Sequence, residues 1–232
     1  MNLLEIVNRA CTRAKMPYLQ SVEDTGSSQA REYLEYANQA NEFIMSYWDW
    51  RALARDIMVT TVQDQVTIDL PCDFGGFLVN RIYDRTRNLW LENADDDVSL
   101  ENRAGKYITD IPFWRVLGKQ IVFDFPLEAG RELLIAYKSK WAVITAKSIT
   151  PTVELFSKDK DTYLLSDQAL LTGILYEKSA AYNDTDLETN KTNFLNLLET
   201  LKEKDGPNRV INIFGRGANR ISPTDFQPYE GA

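Results

Sequence analysis

The sequence contains no histidine among its 232 residues. Histidine is the commonest general base near neutral pH and the commonest metal ligand, so its absence excludes every Ser/His and Cys/His catalytic arrangement. Only two cysteines are present, Cys11 and Cys72, and they are too few and too far apart for a zinc site or a disulfide framework. We interpret both as structural thiols and expect no catalytic residue, no metal and no cofactor.

Long apolar runs and nucleotide-binding motifs are missing as well. No run approaches the ~18 apolar residues of a membrane span, and the N-terminus lacks the basic start and apolar core of a signal peptide. No G-x-G-x-x-G or P-loop pattern opens a helix. We therefore expect a protein that is made in a reducing cytoplasm and has no membrane contact.

Positive charge is in deficit, because 26 Lys and Arg face 34 Asp and Glu, for a net charge of -8. This balance disfavours nonspecific nucleic-acid binding through a broad phosphate-neutralising surface, although it is compatible with a local basic patch. The hydrophobic content of 44% is ordinary for a globular protein. The length suits one large domain or two small ones.

The hydrophobic period changes at residue 56. Up to Arg55, apolar residues recur at three- and four-residue spacing, which indicates an amphipathic helix. From Ile57 onward, β-branched residues alternate with polar ones, which indicates a half-buried strand. The Gln63-Asp64-Gln65 reversal inside this alternation predicts a β-hairpin over residues 57–70.

Four amphipathic helices are predicted, two before the β region and two after it. The first begins near Leu3 and ends before Pro17. The second is capped by Ser27 or Ser28, runs to about Ala54 and spans roughly 40 Å. The third starts at Ser166, and the fourth starts at a capping-box pattern over residues 185–188 and stops at Asp205-Gly206-Pro207.

Between these helix pairs, short strands are separated by turn residues at 8 to 12 residue spacing, which favours an antiparallel sandwich or a small barrel. The predicted strands that follow the hairpin are 77–84, 88–92, 106–108, 114–117, 120–125 and 132–140. The apolar faces of the four helices must be buried, and they can be buried against one another. We therefore predict an α+β fold: a four-helix bundle (residues 1–56 and 164–204), an inserted antiparallel β-sandwich or barrel-like domain (58–145) and an extended C-terminal tail (205–232).

Two features of the β region could belong to a carbohydrate-binding or glycosidase-like module. An acidic loop carries Asp95, Asp96 and Asp97, and paired carboxylates catalyse glycoside hydrolysis. Trp90, Trp114 and Trp141 could stack on sugars. A run of consecutive aspartates is more typical of a solvated surface, and tryptophans spaced through a sandwich more often fill its core.

The C-terminal tail differs in composition from the rest of the chain. It combines an apolar cluster with arginines and has no acid between Asp205 and Asp225. A peptide that is anchored by apolar side chains and oriented by arginines is a common way to bind a groove or a sheet edge. The residues predicted to bind a partner are Arg209, Val210, Ile211, Ile213, Phe214, Arg216 and Arg220.

Four short motifs occur in a fixed order along the chain. They are Trp48-Asp49-Trp50, Leu70-Pro71-Cys72-Asp73-Phe74, Phe125-Pro126-Leu127-Glu128-Ala129-Gly130 and Tyr163-Leu164-Leu165-Ser166-Asp167. In this order and spacing, and with the helix pairs around them, the chain resembles the head-to-tail adaptor (connector) proteins of tailed bacteriophages. The resemblance covers nearly the whole length.

The resemblance implies a non-enzymatic virion protein that is made in the host cytoplasm and assembles in the neck of the phage as a homo-oligomeric ring, a dodecamer. Its partners would be the portal protein, the tail tube or nozzle protein and its own copies. It also implies that DNA only passes through the channel and that the C-terminal extension holds the portal. The alternative from another class is a carbohydrate-binding or glycosidase-like β module on a helical bundle.

Overall fold

A computed structural model describes residues 1–78, 81–93, 113–146, 148 and 150–206. The described part is an α+β protein with four α-helices and antiparallel sheets, as predicted. The helices are α1 (Leu3–Arg13), α2 (Ser28–Tyr47), α3 (Asp167–Tyr182) and α4 (Leu187–Asp205).

Side-chain caps define most of the helix starts. Ser27 accepts a hydrogen bond from the backbone N–H of Ala30, and Ser166 accepts one from Ala169, which confirms the predicted starts of α2 and α3. The capping box predicted at residues 185–188 is wrong. Helix α4 begins at Leu187, so the N-cap residue is Asp186 and not Thr185, and no side chain caps the first turn.

Helix α2 ends at Tyr47, seven residues before the predicted end at Ala54. Its twenty residues span roughly 30 Å rather than 40 Å. The backbone becomes extended at Trp48 (φ -152°, ψ 156°), and a short 3-10 turn, Arg51–Leu53, leads into the first strand. The helix stops here because other groups bind its last carbonyls: the Lys138 ammonium donates to Met45 and Trp48, at 2.8 and 3.2 Å.

Helix α3 lies at the centre of the helical part and contacts α1, α2 and α4. The contact with α2 is close at Gly173, where an added Cβ would lie 2.7 Å from the Cβ of Ala40. The four helices share one apolar cluster with Trp50, Leu53 and four residues of the segment that precedes α3: Ala142, Val143, Phe156 and Tyr163. The predicted contact between the first and second helix pairs is therefore present.

The strands form three antiparallel sheets within the described residues. The five-stranded sheet has the order β1-β8-β4-β5 with β3 also paired to β8, the three-stranded sheet has the order β2-β7-β6, and β9 pairs with β10. Most predicted strands after residue 70 are confirmed, while that at 106–108 lies outside the described residues. The strands are β1 (Ala54–Thr60), β2 (Gln65–Asp69), β3 (Phe74–Phe77), β4 (Arg81–Asp84), β5 (Leu89–Glu92), β6 (Trp114–Leu117), β7 (Gln120–Leu127), β8 (Glu132–Ser139), β9 (Val143–Ile144) and β10 (Thr162–Tyr163).

The hairpin predicted over residues 57–70 is wrong. Strands β1 and β2 lie there, but β1 pairs with β8 and β2 pairs with β7, in different sheets. The turn between them is held by the β7–β8 turn: Thr61 exchanges backbone hydrogen bonds with Arg131 and Gly130, both 2.9 Å, and the N–H of Asp64 donates to Leu127. Hydrophobic alternation identified the strands but not their partners, because the pairing is made with residues far away in the sequence.

Both larger sheets contribute side chains to a second apolar cluster. Trp114 is fully buried in it, and its indole N–H donates to the carbonyl of Leu91 at 3.0 Å. At the edge of this cluster, the buried guanidinium of Arg131 pairs with the buried carboxylate of Asp84, with the Nε and Oδ2 atoms 2.6 Å apart.

The segment between β9 and α3 closes over the helices. Its Asp161 is fully buried, accepts hydrogen bonds from the N–H groups of Ser157 and Lys158, and offers its backbone carbonyl to Leu3 at 2.7 Å. Two residues earlier, the carboxylate of Asp159 accepts from the N–H of Val22 at 2.6 Å. This segment therefore ties the start of α1 and the α1–α2 loop to the region just before α3.

Candidate docking site at the base of the helices

The partner-binding residues predicted from the sequence lie outside the described residues, as does the whole segment 207–232. Those residues are Arg209, Val210, Ile211, Ile213, Phe214, Arg216 and Arg220. The structure does describe the end of α4, directly before this segment. The residues around that point form a candidate docking site.

An apolar groove lies beside the end of α4, with a volume of about 280 Å³. We call it the base groove. Helix α2 and the turn after it supply Ile44 and Trp50, and helix α4 supplies Leu201. The segment before α3 supplies Leu164 and Leu165. Ala52, Ser166, Ala169, Lys204 and Asp205 complete the lining.

Trp50 is held in the base groove by its own hydrogen bond. Its indole N–H donates to the carbonyl of Ile44 at 2.7 Å, and the residue is 5% exposed. This bond satisfies a carbonyl in the last turn of α2. The chain reversal after Tyr47 therefore turns Trp50 back against the helix it has just left.

Next to the groove, α2 and α4 are joined by a cluster of polar and aromatic groups. The Tyr47 hydroxyl donates to the carboxylate of Glu199, and the Lys202 ammonium lies 5.1 Å from the centre of the Trp48 ring. The hydrogen bond to Glu199 is the main cause that raises the pKa of Tyr47 to about 12. Hydrogen bonds from Tyr47 and Lys202 lower the pKa of Glu199 below its ordinary value.

The chain leaves α4 against the wall of the groove. The carboxylate of Asp205 accepts a hydrogen bond of 3.0 Å from the backbone N–H of Arg51, in the 3-10 turn. Gly206 then adopts a φ of 75°, a left-handed conformation that favours glycine. A Cβ at this position would lie 3.0 Å from the Arg51 guanidinium. The glycine allows the chain to turn close to the groove.

The base groove was not predicted from the sequence, where Trp50, Leu164 and Leu165 occur only as members of two short motifs. The dileucine Leu164-Leu165 directly before the Ser166 cap was a partial signal, because an apolar residue just before a helix cap often packs against the start of that helix. Nothing in the local pattern showed that these leucines would meet Trp50, since that contact depends on the chain reversal at the end of α2.

The candidates for sugar chemistry do not come together in the described part. The acidic loop residues Asp95, Asp96 and Asp97 lie outside it. Trp114 is fully buried, which confirms that it fills the core and is not part of a sugar-binding surface. Trp90 is half-buried, with its ring centre 5.0 Å from that of Tyr83.

Two buried carboxylates have partners within the chain. The carboxylate of Asp84 pairs with Arg131, and that of Asp161 accepts two backbone N–H groups. Burial raises the pKa of the Cys11 thiol, whereas Cys72 is exposed. No group of three or more Asp, Glu, Cys or His side chains that could hold a metal ion occurs among the described residues.

A second cavity, of about 310 Å³, lies between the ends of α1, α3 and α4. It is polar, and its lining includes Arg13, Lys178, Asp184 and Asn190. The Lys178 ammonium donates to the Asp184 carboxylate at 2.9 Å and lowers the pKa of that group. One cation of this cavity is thus already paired within the chain.

In the part of the chain that the structure describes, no helix combines the length and apolar character needed to cross a bilayer. Comparison of the sequence with protein-family models gave no match, and comparison with curated proteins gave none either.

Proposed function

We propose that this protein is a non-enzymatic head-to-tail adaptor of a tailed bacteriophage, which forms a ring between the portal and the tail tube or nozzle. In this proposal the ring is a dodecamer, located in the neck of the virion. The C-terminal tail holds the portal protein.

The observation that carries the proposal is the position of the four motifs that resemble the adaptor family. Trp48–Trp50 joins α2 to β1, and Leu70–Phe74 joins β2 to β3. The motif 125–130 forms the β7–β8 turn, and 163–167 joins β10 to α3. Each motif therefore lies at a junction between elements, where it determines how the chain changes direction. The order of these junctions along the chain is what supports the proposal.

The proposed architecture is a four-helix bundle with an inserted β-sandwich or barrel-like domain. Two separate apolar clusters support it, one shared by the four helices and one shared by the two larger sheets. The β region joins the helical part through two chain connections that lie side by side, because Ala54 and Lys138 are register partners in β1 and β8. A β region that begins and ends at neighbouring positions is suited to be an insertion between α2 and α3.

The tail is the part that is proposed to bind the portal. It follows Gly206 at the base of the helices, and its sequence combines four apolar anchors with three arginines. One such peptide binds weakly, because the ordering of its backbone offsets much of the gain from apolar burial. In a ring the tails bind together, so later contacts become effectively intramolecular and the assembly is tight.

The net charge of -8 suits a channel for DNA in transit. An acidic ring repels phosphates and lets the genome pass without binding. The absence of histidine and the structural use of Asp84 and Asp161 support a role without catalysis.

Electron microscopy of phage particles tests the proposal directly. Gold-labelled antibody against the protein is expected to mark the portal vertex, and the purified protein mixed with portal-bearing heads is expected to add a ring there. Heads that lack portal are the matched control and are expected to bind none. Label spread over the capsid or found on tail fibres would contradict the proposal. Turnover of a cell-wall glycan that is lost in Asp96→Asn would favour the glycosidase-like alternative.

A further inference from the structure

The base groove has an apolar lining that no described segment covers. Trp50 and Ile44 form its floor, and the half-buried Leu164, Leu165 and Leu201 form its walls. A cavity of about 150 Å³ is enough to hold benzene. The base groove, at about 280 Å³, therefore has room for one aromatic and one aliphatic side chain.

The segment that follows Gly206 carries side chains of this kind. Asp205 belongs to the groove lining, and Gly206 turns the chain beside Arg51. Ile211 follows five residues later and Phe214 eight residues later. At about 3.3 Å per extended residue, both are within reach of the groove.

We propose that the base groove receives Ile211 and Phe214 of its own chain before assembly. A short flexible connection gives an effective concentration on the order of millimolar, so the chain's own segment outcompetes the segment of another copy in dilute solution. The cost of ordering the connecting backbone offsets most of the gain from burying these two apolar side chains. The bound segment is therefore readily released.

Such a contact would keep the apolar anchors away from other copies until the portal is present. This role rests on the proposed adaptor function, since it uses the same anchors for the groove and for the portal. The binding of the segment to the groove does not depend on that function and can be measured in the isolated protein.

Photo-crosslinking of the full chain tests the proposal. The exposed Cys72 is replaced by Ser, Cys11 is fully buried, and a benzophenone maleimide is attached to Ile213→Cys. Gln227→Cys, beyond the anchors, is the matched control. Mass spectrometry is expected to find crosslinks from position 213 to Trp50, Leu165 and Leu201, several-fold more often than from position 227.

A change in the groove provides the second arm. Leu165→Asp is expected to abolish the excess of groove crosslinks from position 213 over position 227. Leu4→Asp, at a half-buried leucine of α1 away from the groove, is expected to retain this excess. Circular dichroism verifies the helical content of both. Crosslinked dimers that increase with protein concentration would overturn the proposal in favour of a second copy as occupant, and equal crosslinking from positions 213 and 227 would overturn it outright.

The two proposals can fail separately. If removal of residues 208–232 blocks attachment to portal-bearing heads but no groove crosslinks form, the groove proposal is wrong and the adaptor proposal stands. If groove crosslinks form but attachment survives the truncation, the groove proposal stands and the role of the segment in portal binding is wrong.

Discussion

The indole nitrogen of Trp50 donates a hydrogen bond of 2.7 Å to the backbone carbonyl of Ile44, six residues earlier. This bond closes the last turn of α2 and at the same time presents the tryptophan ring to the base groove. The end of a helix and the floor of a candidate docking site thus depend on the same atom pair.

Trp50→Phe is expected to lower the free energy of unfolding by about 1–3 kcal/mol, because it leaves a buried carbonyl without its donor. Urea unfolding followed by circular dichroism measures the change. Trp48→Phe is the matched control, since the buried indole nitrogen of Trp48 has no hydrogen-bond partner among the described residues. Equal losses in the two variants would show that ring volume, and not the hydrogen bond, is responsible.

Gly173→Ala is expected to destabilise the protein by about 1–3 kcal/mol. In an ordinary helix interior this change stabilises by roughly 0.5–1 kcal/mol. Here the new Cβ would lie 2.7 Å from the Cβ of Ala40 and 3.2 Å from the Phe194 ring. Adding Ala40→Gly removes the closer clash, so the double variant is expected to recover part of the loss in the same unfolding measurement. No recovery would contradict the assignment to the α2–α3 contact.

The buried pair of Arg131 and Asp84 is expected to be strongly sensitive to the loss of one member. Asp84→Leu leaves an uncompensated guanidinium and is expected to cost about 3–5 kcal/mol, and adding Arg131→Met is expected to restore part of it. The exposed pair of Arg87 and Glu128 is the control, for which Glu128→Gln is expected to cost about 0–1 kcal/mol. Double-mutant analysis of urea unfolding separates these effects, and additive losses at residues 84 and 131 would argue against coupling.

The contact between Tyr47 and Glu199 predicts a specific pH dependence. Because the pKa of Glu199 is lowered from 4.5, the contact stabilises the fold above pH 4.5 and is lost as the pH falls through the lowered value. The raised pKa of Tyr47, about 12, has the opposite sign, so its contribution is present below pH 10 and is lost as the pH rises through about 12.

Tyr47→Phe is therefore expected to lower the melting temperature at neutral pH, with a difference from the unmodified protein that shrinks towards pH 3. Tyr18→Phe, at an exposed hydroxyl that bonds only Thr12 among the described residues, is the control. Thermal melts across this range measure the difference. A constant Tyr47→Phe effect at all pH values would exclude the ionised carboxylate as its cause.

Deletion of residues 208–232 is expected to leave the fold intact and to abolish attachment to portal-bearing heads. The melting temperature is expected to change by only about 1–2 °C, as for a weak surface contact. Ile213→Ala with Phe214→Ala should cause most of the same loss of attachment, whereas Phe226→Ala should not. Sedimentation of heads with bound protein measures the occupancy, and unchanged occupancy of the truncated protein would place the adhesive surface elsewhere.

The sequence predicted those parts of the fold that depend on local rules. Helix starts at Ser27 and Ser166 were identifiable because a side-chain cap acts within three residues. Strands β6, β7 and β8 were identifiable because alternation and the Gly118 and Gly130 turns are also local.

The parts that were predicted wrongly depend on contacts far away in the sequence. Residues 51–55 have good helix propensity, yet the helix stops before them because Lys138 and Trp50 bind its last carbonyls. The pairing of β1 with β8 likewise rests on residues that lie close only after folding. The base groove depends on where α2 ends and on packing between segments that are distant in the sequence. No single stretch of sequence could therefore predict it.

The register pairing of Ala54 with Lys138 also lowers the entropic cost of bringing the two helix pairs together during folding. Before β1 and β8 pair, the two halves of the helical part are separated by the whole β region. Once they pair, the loop that connects α2 to α3 consists only of the segment after β8, which Asp161 and Phe156 fix against α1 and α2. Because the entropic cost of loop closure grows with loop length, β1 and β8 act as a crosslink that makes α1–α2 and α3–α4 effective neighbours in the chain.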